Sequence, residues 1–274
     1  MRKIIYIILF GLCFVLPLQA QQGTPMNYWD DVDFNDTTLI SSNVLRNKVI
    51  NFLFENACLD EAHFDSLSIA SLDIVFGKAK VNMRTYEYIL ELMLTGYSKM
   101  GRSAVTDYLL NYPQLAEGEI TMADGLRLDS ITEPYQKVRV GEKAPDFSGL
   151  TIDGRSYHLF DSKSDHLIVV FWSTDCEYCH DFLREIRKKL DLKSDYELVT
   201  FALADNLKEV QREVKKMRLP GYHFYDEKRW DSKAFLDYHI TSTPTVFVLD
   251  AEKYIVCKPY DWLELKEWIR NKNQ

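Results

Sequence analysis

Two cysteines separated by two residues are the part of this sequence best suited to chemistry. Cys176 and Cys179 follow an apolar run that ends at Trp172, and a helical pattern begins soon after them. The first cysteine of such a pair lies at a helix N-terminus, where unpaired N–H groups and the helix dipole stabilise a thiolate. The second sulfur follows one helical turn later, close enough to form a disulfide. We therefore predict that Cys176 attacks a substrate disulfide and that Cys179 resolves the mixed disulfide.

A proline at the start of a later strand supports this prediction. Thr243 and Pro244 directly precede the apolar run 245–249, and a proline cannot donate a hydrogen bond to a sheet. If the Thr243–Pro244 bond is cis, the Thr243 backbone is free beside the cysteines to pair with an extended substrate. An ordinary edge proline is the alternative. The side chains expected to frame the substrate groove are Trp172, Tyr178, Thr243 and Pro244.

The first residues have the pattern of an export signal. Arg2 and Lys3 precede an apolar run from Ile4 to Leu16, and the small residue Ala20 follows. This order predicts a secretory signal peptide over residues 1–20, cleaved after Ala20. An uncleaved membrane anchor is the alternative, although the apolar run ends at Pro17 and is short for a spanning helix. We therefore expect a periplasmic protein in an oxidising compartment, without membrane insertion after cleavage.

Composition excludes several classes of protein. The 274 residues are 46% hydrophobic and 27% charged, which excludes a disordered or fibrous chain. The net charge of -8 gives no general attraction for nucleic acid or anionic lipid. Of the 5 cysteines, one lies in the predicted signal and two, Cys58 and Cys257, are distant from the others in the sequence. We interpret those two as buried apolar residues, with a bridge between them as the alternative.

Hydrophobic periodicity divides the chain into two different halves. Apolar residues at helical spacing predict helices over 43–57, 60–77, 83–98 and 103–111, with Gly77 ending the second. Glu133 and Pro134 begin a connector, after which buried strands alternate with helices. The predicted strands are 167–172, 196–202, 245–249 and 254–257, and the predicted helices 181–192, 207–217 and 262–271. We therefore predict a helical domain over 26–132 and an α/β domain over 138–274.

The second half also resembles a known family. The segments that carry the resemblance are Gly141–Phe147, Val169–Trp172 before the cysteine pair, and Thr243-Pro244-Thr245 with Asp250 after the strand. Over residues 138–272 the chain resembles the thioredoxin-like disulfide reductases of the TlpA and ResA type. The resemblance implies a thioredoxin-like fold with a central mixed sheet flanked by helices, a cis Pro244 and a redox-active Cys176–Cys179 pair.

The same resemblance implies how the protein works. It implies thiol-disulfide exchange in the cell envelope, as in cytochrome maturation or the upkeep of envelope thiols. The expected partners are disulfide-containing envelope proteins and a thiol electron donor, with no nucleic acid. We expect no cofactor other than the redox-active disulfide, and no metal.

Two departures from the family refine the expectation. Asp175 stands where the family usually has tryptophan, and Glu177 adds a second carboxylate inside the motif. Both disfavour a neighbouring thiolate and so raise the pKa of Cys176, which predicts a reductase or isomerase rather than a strong oxidant. The family often has a buried acid beneath the cysteines, and the preceding strand offers none. Asp181 and Glu185 are candidates for proton transfer, with surface carboxylates as the alternative.

The residues around the cysteine pair also allow three other functions: a metal site, a peroxidase and a partner-binding protein. A structural zinc site needs a second pair of ligands, which the sequence lacks. His180 has three possible roles: it could complete a three-ligand metal site with the cysteines, serve as a general acid, or lie on the helix surface. A peroxiredoxin-like peroxidase would use the Ser173-x-x-Cys176 run, but Val169 stands where that family has proline. A partner-binding envelope protein with a vestigial or metal-holding cysteine pair is the remaining alternative.

Overall fold

The computed structural model describes residues 27–57, 63–111, 121–190 and 196–272. The predicted signal peptide and Cys58 lie outside these ranges. The chain divides into two compact units, Met1–Thr132 and Glu133–Gln274. Within the described ranges, every helix is too short or too polar to cross a lipid bilayer.

The first unit is helical throughout its described part. Its helices are α1 (Thr38–Ser41), α2 (Val44–Ala57), α3 (Phe64–Ala79), α4 (Met83–Lys99), α5 (Ser103–Leu110) and α6 (Met122–Gln136), and the chain passes into the second unit within α6. Asn82 caps α4, because its side chain accepts hydrogen bonds from the N–H groups of Arg84 and Thr85. The core contains aromatic and aliphatic residues at helical spacing, including Phe52, Phe76, Tyr86 and Tyr97.

Two predictions about this half are wrong in detail. Gly77 does not end α3, which continues to Ala79 and is closed by the N–H of Lys80 on the carbonyl of Phe76. The predicted connector at Glu133 and Pro134 is helical, because α6 runs through Pro134 to Gln136. The proline removes one backbone donor near the end of the helix, and a 15-residue helix retains enough other bonds to tolerate this loss.

The second unit contains a five-stranded mixed sheet with the strand order β5-β4-β3-β6-β7. The sheet consists of β3 (Leu167–Ser173), β4 (Glu197–Leu203), β5 (Tyr222–Tyr225), β6 (Thr245–Leu249) and β7 (Ile255–Cys257). Strands β3, β4 and β5 are parallel, and β6 and β7 are antiparallel to their neighbours. This confirms the predicted α/β fold with a central mixed sheet.

Both faces of the sheet are covered. Alternate residues of β3 point to opposite faces, as strand geometry requires. Ile168, Val170 and Trp172 pack in the cluster that contains residues of α7 (Glu177–Lys189), α8 (Leu207–Met217) and α10 (Trp262–Lys272). Leu167, Val169 and Phe171 pack in the opposite cluster, which includes residues of β2 (Ser156–His158) and α9 (Lys233–Asp237). Burial on both faces explains why β3 is continuously apolar.

Several short elements escaped sequence-based prediction. They are the hairpin of β1 (Ser148–Leu150) and β2, strand β5, helix α9, and two short 3₁₀ turns at Leu159–Asp161 and Arg229–Asp231. Each is five residues long or shorter, so none contains enough residues to establish a hydrophobic period.

Candidate active site

The two cysteines lie at the start of α7, directly after the central strand. Cys176 is the N-cap of α7, with extended backbone angles, and Cys179 lies in the first turn. The two are joined as a disulfide with their Cα atoms 5.2 Å apart. The N–H of Cys179 points at Cys176 Sγ at 3.1 Å. A helix N-terminus therefore faces the sulfur that we predict to be the nucleophile.

The two sulfurs differ in access. Cys176 is half-buried. Cys179 is 0% exposed and belongs to the hydrophobic cluster on the sheet face that α7 covers. Only the first can meet a macromolecular substrate without the helix moving. This asymmetry fits the order of attack predicted from the sequence.

The Thr243–Pro244 segment lies beside the exposed cysteine. The Thr243–Pro244 bond is cis, and Cys176 Sγ is 3.9 Å from the carbonyl oxygen of Thr243. Thr243 and Pro244 are both half-buried, and Thr245 Oγ1 donates a 2.7 Å hydrogen bond to the Ser242 carbonyl. The structure thus brings together Cys176 and the two residues predicted to form one wall of the groove.

The side chains around Cys176 are polar and reach solvent. Asp175 and Glu177, its neighbours on both sides, are exposed, and Tyr178 is 49% exposed. The loop is held to β4, because the N–H and the Oγ1 of Thr174 donate to the carbonyl of Leu203 at 3.0 and 3.3 Å. Cys176 is therefore flanked in the chain by two exposed carboxylates, and an accessible aromatic ring follows two positions later.

Trp172 does not line this surface. It is 0% exposed, and its ring lies 5.7 Å from that of His180. It is the penultimate residue of β3, just before the loop that leads to the cysteines, and lies on the face covered by α7. The structure thus corrects its assignment to the groove, because Trp172 supports the start of α7 from beneath.

Asp181 and Glu185 lie away from the disulfide. They follow Cys176 by five and nine positions, or roughly 7 and 13 Å along the helix axis. The Asp181 side chain is 63% exposed and pairs with Arg184, and the Glu185 carboxylate is 3.9 Å from the ammonium group of Lys188. Both are therefore surface carboxylates in ion pairs, which argues against the predicted role in proton transfer.

His180 is more enclosed than a surface histidine. It is half-buried, and its Nε2 atom is buried with no hydrogen-bond partner among the described residues. Burial lowers the pKa of His180, and the nearby Arg184 and Lys216 lower it further, whereas Glu213 acts against them. Glu213 and Lys216 lie on α8, so sequence spacing could not place them beside His180. In the described ranges, no three His, Cys, Asp or Glu residues are grouped so that they could hold a metal ion.

Cys257 is a free, half-buried cysteine at the end of β7. Burial and the nearby Glu264 raise the pKa of its thiol to about 12. A thiol with so high a pKa is a poor nucleophile at neutral pH. Its predicted alternative partner, Cys58, lies outside the described residues, so a bridge between them stays a prediction.

Comparisons with known proteins agree with this geometry. Residues 140–258 match the model of the AhpC/TSA family. The thioredoxin-like protein YneN of Bacillus subtilis (strain 168) is 29% identical over 134 residues, which cover 46% of this chain and 76% of YneN. The family match includes the cysteine pair and the Thr243–Pro244 segment.

Solved structures extend the comparison to the fold. A thioredoxin-like protein from Bacteroides caccae ATCC 43185 matches with a TM-score of 0.58 at 18% identity, over 89% of this chain and 90% of that one. The C-terminal domain of a putative thiol-disulfide oxidoreductase from Bacteroides thetaiotaomicron matches 49% of this chain and 96% of its own, with 23% identity and a TM-score of 0.45. The first of these matches shows that the chain has a thioredoxin-like fold.

Proposed function

We propose that this protein is a thiol-disulfide oxidoreductase that exchanges disulfides with protein substrates through Cys176 and Cys179. One observation carries the proposal: an accessible sulfur and a buried sulfur are joined at the head of α7, beside the carbonyl of Thr243. This arrangement supplies a nucleophile, a resolving thiol and a backbone acceptor for an extended substrate.

The cycle transfers two electrons between the pair and the substrate. In the reduced enzyme, the Cys176 thiolate attacks a substrate disulfide, so that one substrate sulfur leaves as a thiolate and the other is bound to Cys176. The Cys179 thiolate then attacks Cys176 Sγ, which re-forms the enzyme disulfide and releases the second substrate thiolate. The substrate is reduced and the enzyme oxidised, and a thiol electron donor restores the pair by the reverse exchange.

We further propose that the enzyme acts as a reductase or isomerase. Asp175 and Glu177 place negative charge next to the Cys176 thiolate and so destabilise the reduced state. A couple whose reduced state is less stabilised is less oxidising. A reduction potential near about -120 mV, typical of a strong oxidant, would contradict this assignment.

The proposed place of action is the periplasm. Support comes from the signal-like N-terminal segment of Arg2, Lys3 and the apolar run to Leu16. Exported, TlpA-like thiol-disulfide exchange with envelope proteins requires an oxidising compartment in which substrate disulfides persist. Detection of a shortened chain in the periplasmic fraction, beginning after Ala20, would test this.

Insulin reduction tests the proposed activity. The wild-type protein, supplied with a dithiol reductant, should accelerate the precipitation of insulin chains, and Cys176→Ser should reduce the rate to that of the reductant alone. Cys257→Ser, which changes the free cysteine, is the matched control and should retain the wild-type rate. Equal rates for wild type and Cys176→Ser would reject the proposal and would favour a partner-binding protein with a vestigial cysteine pair.

A peroxidase is the second candidate, favoured by the AhpC/TSA match over residues 140–258. In that reaction the Cys176 thiolate would attack a peroxide oxygen and become a sulfenic acid, with the other oxygen leaving as an alcohol or water. Cys179 would then displace water to form the same disulfide. Consumption of hydrogen peroxide that depends on Cys176, in the absence of insulin reduction, would establish this alternative.

A further inference from the structure

A basic cleft lies between α7 and α8, on the side of α7 that carries His180. Its volume is about 390 Å³. Five basic side chains line it, together with one carboxylate, that of Glu213: Arg184, Arg187, Lys188, Lys216 and Arg218. With His180 neutral, the lining has a net charge of +4, although the whole chain has a net charge of -8. The net charge of the cleft lining is thus opposite in sign to the net charge of the whole chain.

The carboxylates of the two helices neutralise only part of this charge. Arg184 pairs with Asp181, the Lys188 ammonium group lies 3.9 Å from the Glu185 carboxylate, and Lys216 donates to Glu213 at 3.2 Å. Arg187 and Arg218 form no ion pair with a carboxylate of the residues that the structure describes. The cleft therefore contains two guanidinium groups that retain donors for an external anion.

The side chain of Arg187 binds the backbone of Arg218. Arg187 lies in the last turn of α7, and its Nε donates to the carbonyl of Arg218 at 3.2 Å. Arg218 follows α8 as its C-cap, in the left-handed backbone region with φ 54°. Both guanidinium groups line the same cleft, so an anion bound there would be attracted by two positive charges.

The chemistry of the lining selects the kind of anion. Guanidinium groups present planar, forked donors that match the oxygens of phosphate groups, and several of them together match adjacent phosphates. Met217 and the His180 ring add a less polar wall. A long polyanion or an anionic bilayer would meet the net negative charge of the rest of the chain.

We propose that the α7–α8 cleft binds a small soluble compound with two or more adjacent phosphate groups. This proposal does not rest on the proposed redox activity, because none of the groups that would contact the anion is a cysteine. The cleft begins at His180, the residue after Cys179, so the ligand would lie at the back of the active-site helix.

Inorganic pyrophosphate is the probe for this site. Isothermal titration of the full-length protein at low ionic strength should show saturable binding at one site. Arg187→Gln with Arg218→Gln should weaken that binding by about tenfold or more, because both forked donors are lost. The matched control is Lys189→Gln with Lys215→Gln, which removes the same charge from exposed positions of α7 and α8 outside the cleft. The control should bind nearly as well as the wild type.

A second pair of variants keeps the test valid if the glutamine variant unfolds. Arg187→Lys with Arg218→Lys retains both charges and loses the forked geometry, so it should also bind pyrophosphate more weakly than the Lys189/Lys215 control. The His180 imidazole gives an independent readout by NMR. Burial, Arg184 and Lys216 lower the pKa of His180, and Glu213 raises it. A bound anion should raise this pKa further.

Three results would overturn the proposal. The first is the absence of saturable pyrophosphate binding to the folded protein. The second is an equal loss of binding in the cleft variant and the control, which would show only general attraction to basic helices. The third is binding to vesicles that contain phosphatidic acid without binding of free pyrophosphate, which would replace the small ligand with a lipid surface.

Discussion

The reactivity of Cys176 depends on opposing charges within one turn of chain. The N–H of Cys179 and the start of α7 stabilise a thiolate at this position. The exposed carboxylates of Asp175 and Glu177 oppose it. In the proposed mechanism, the balance between them would set how strongly the pair oxidises its partners.

Replacing Asp175 tests the effect of these carboxylates. Asp175→Asn removes one negative charge beside the thiolate, so the reduced state should become more stable and the reduction potential should rise by about 10 mV, as expected for one exposed charge pair. Equilibration with glutathione buffers measures this change. Asp165→Asn is the control, since Asp165 is exposed near the opposite end of β3 and its charge is screened at that distance. A fall in potential for Asp175→Asn would contradict the account.

His223 gives the protein a stability that depends on pH. It is 5% exposed in β5, and its Nδ1 lies 2.9 Å from Thr200 Oγ1. Burial lowers its pKa from 6.5 to about 4. Below pH 6.5 the unfolded chain binds a proton that the folded chain rejects, so stability present above that pH is lost as the pH falls towards 4.

The titration of His223 should lower the free energy of unfolding by about 3 kcal/mol at the acid end of this range. Urea unfolding over the same range should show a smaller loss for His223→Gln than for the wild type, even though the variant starts from a lower stability. His158→Gln is the control, because Asp146 and Asp161 raise the pKa of His158 and its titration has the opposite sign. A pH dependence unchanged by His223→Gln would show that other groups are responsible.

At the scale of elements, one glycine fixes the entry to β5. Gly221 has φ 105°, and a Cβ at this position would lie 2.0 Å from the carbonyl oxygen of Leu198 in β4. Gly154 also has a positive φ, 82°, but its Cβ would meet nothing within 4 Å. A substitution at either glycine would strain the backbone. Only at Gly221 would the new Cβ also clash with a neighbouring atom.

The two alanine variants separate these effects. Gly154→Ala should lower the free energy of unfolding by about 1 kcal/mol, the cost of a left-handed backbone for alanine. Gly221→Ala should lower it by about 3 kcal/mol or more, because a backbone atom of the central sheet must also move. Chemical denaturation measures both, and equal losses would show that the clash is relieved without cost.

The sequence predicted the long elements better than the short ones. The continuous apolar run of β3 identified a strand buried on both faces, and the cysteine motif identified the start of α7. Strand β5 escaped prediction because Tyr222–Tyr225 is short and contains His223, whose burial depends on contacts with β4. The α7–α8 cleft escaped because its charges meet only through the packing of helices that are distant in sequence.

At the scale of the whole molecule, the second unit contains the complete disulfide site and its own core. A chain of residues 121–274 would begin at Thr121, just before α6. The N–H and the hydroxyl of Thr121 both donate to the carboxylate of Asp124 and so stabilise the start of α6. We expect this chain to unfold cooperatively and to reduce insulin within about twofold of the full-length rate per mole. A folded but inactive fragment would assign a direct role in catalysis to the helical unit.

In the proposed mechanism, Cys176 attacks the substrate disulfide and Cys179 resolves the mixed disulfide. Mass spectrometry of the variants Cys179→Ala and Cys176→Ala, each reduced and then mixed with a disulfide-bonded peptide, tests it directly. The account predicts that Cys179→Ala accumulates a peptide adduct on Cys176, whereas Cys176→Ala shows only the background from its other cysteines. Equal adduct formation in both variants, or no adduct on a folded Cys179→Ala protein, would contradict it.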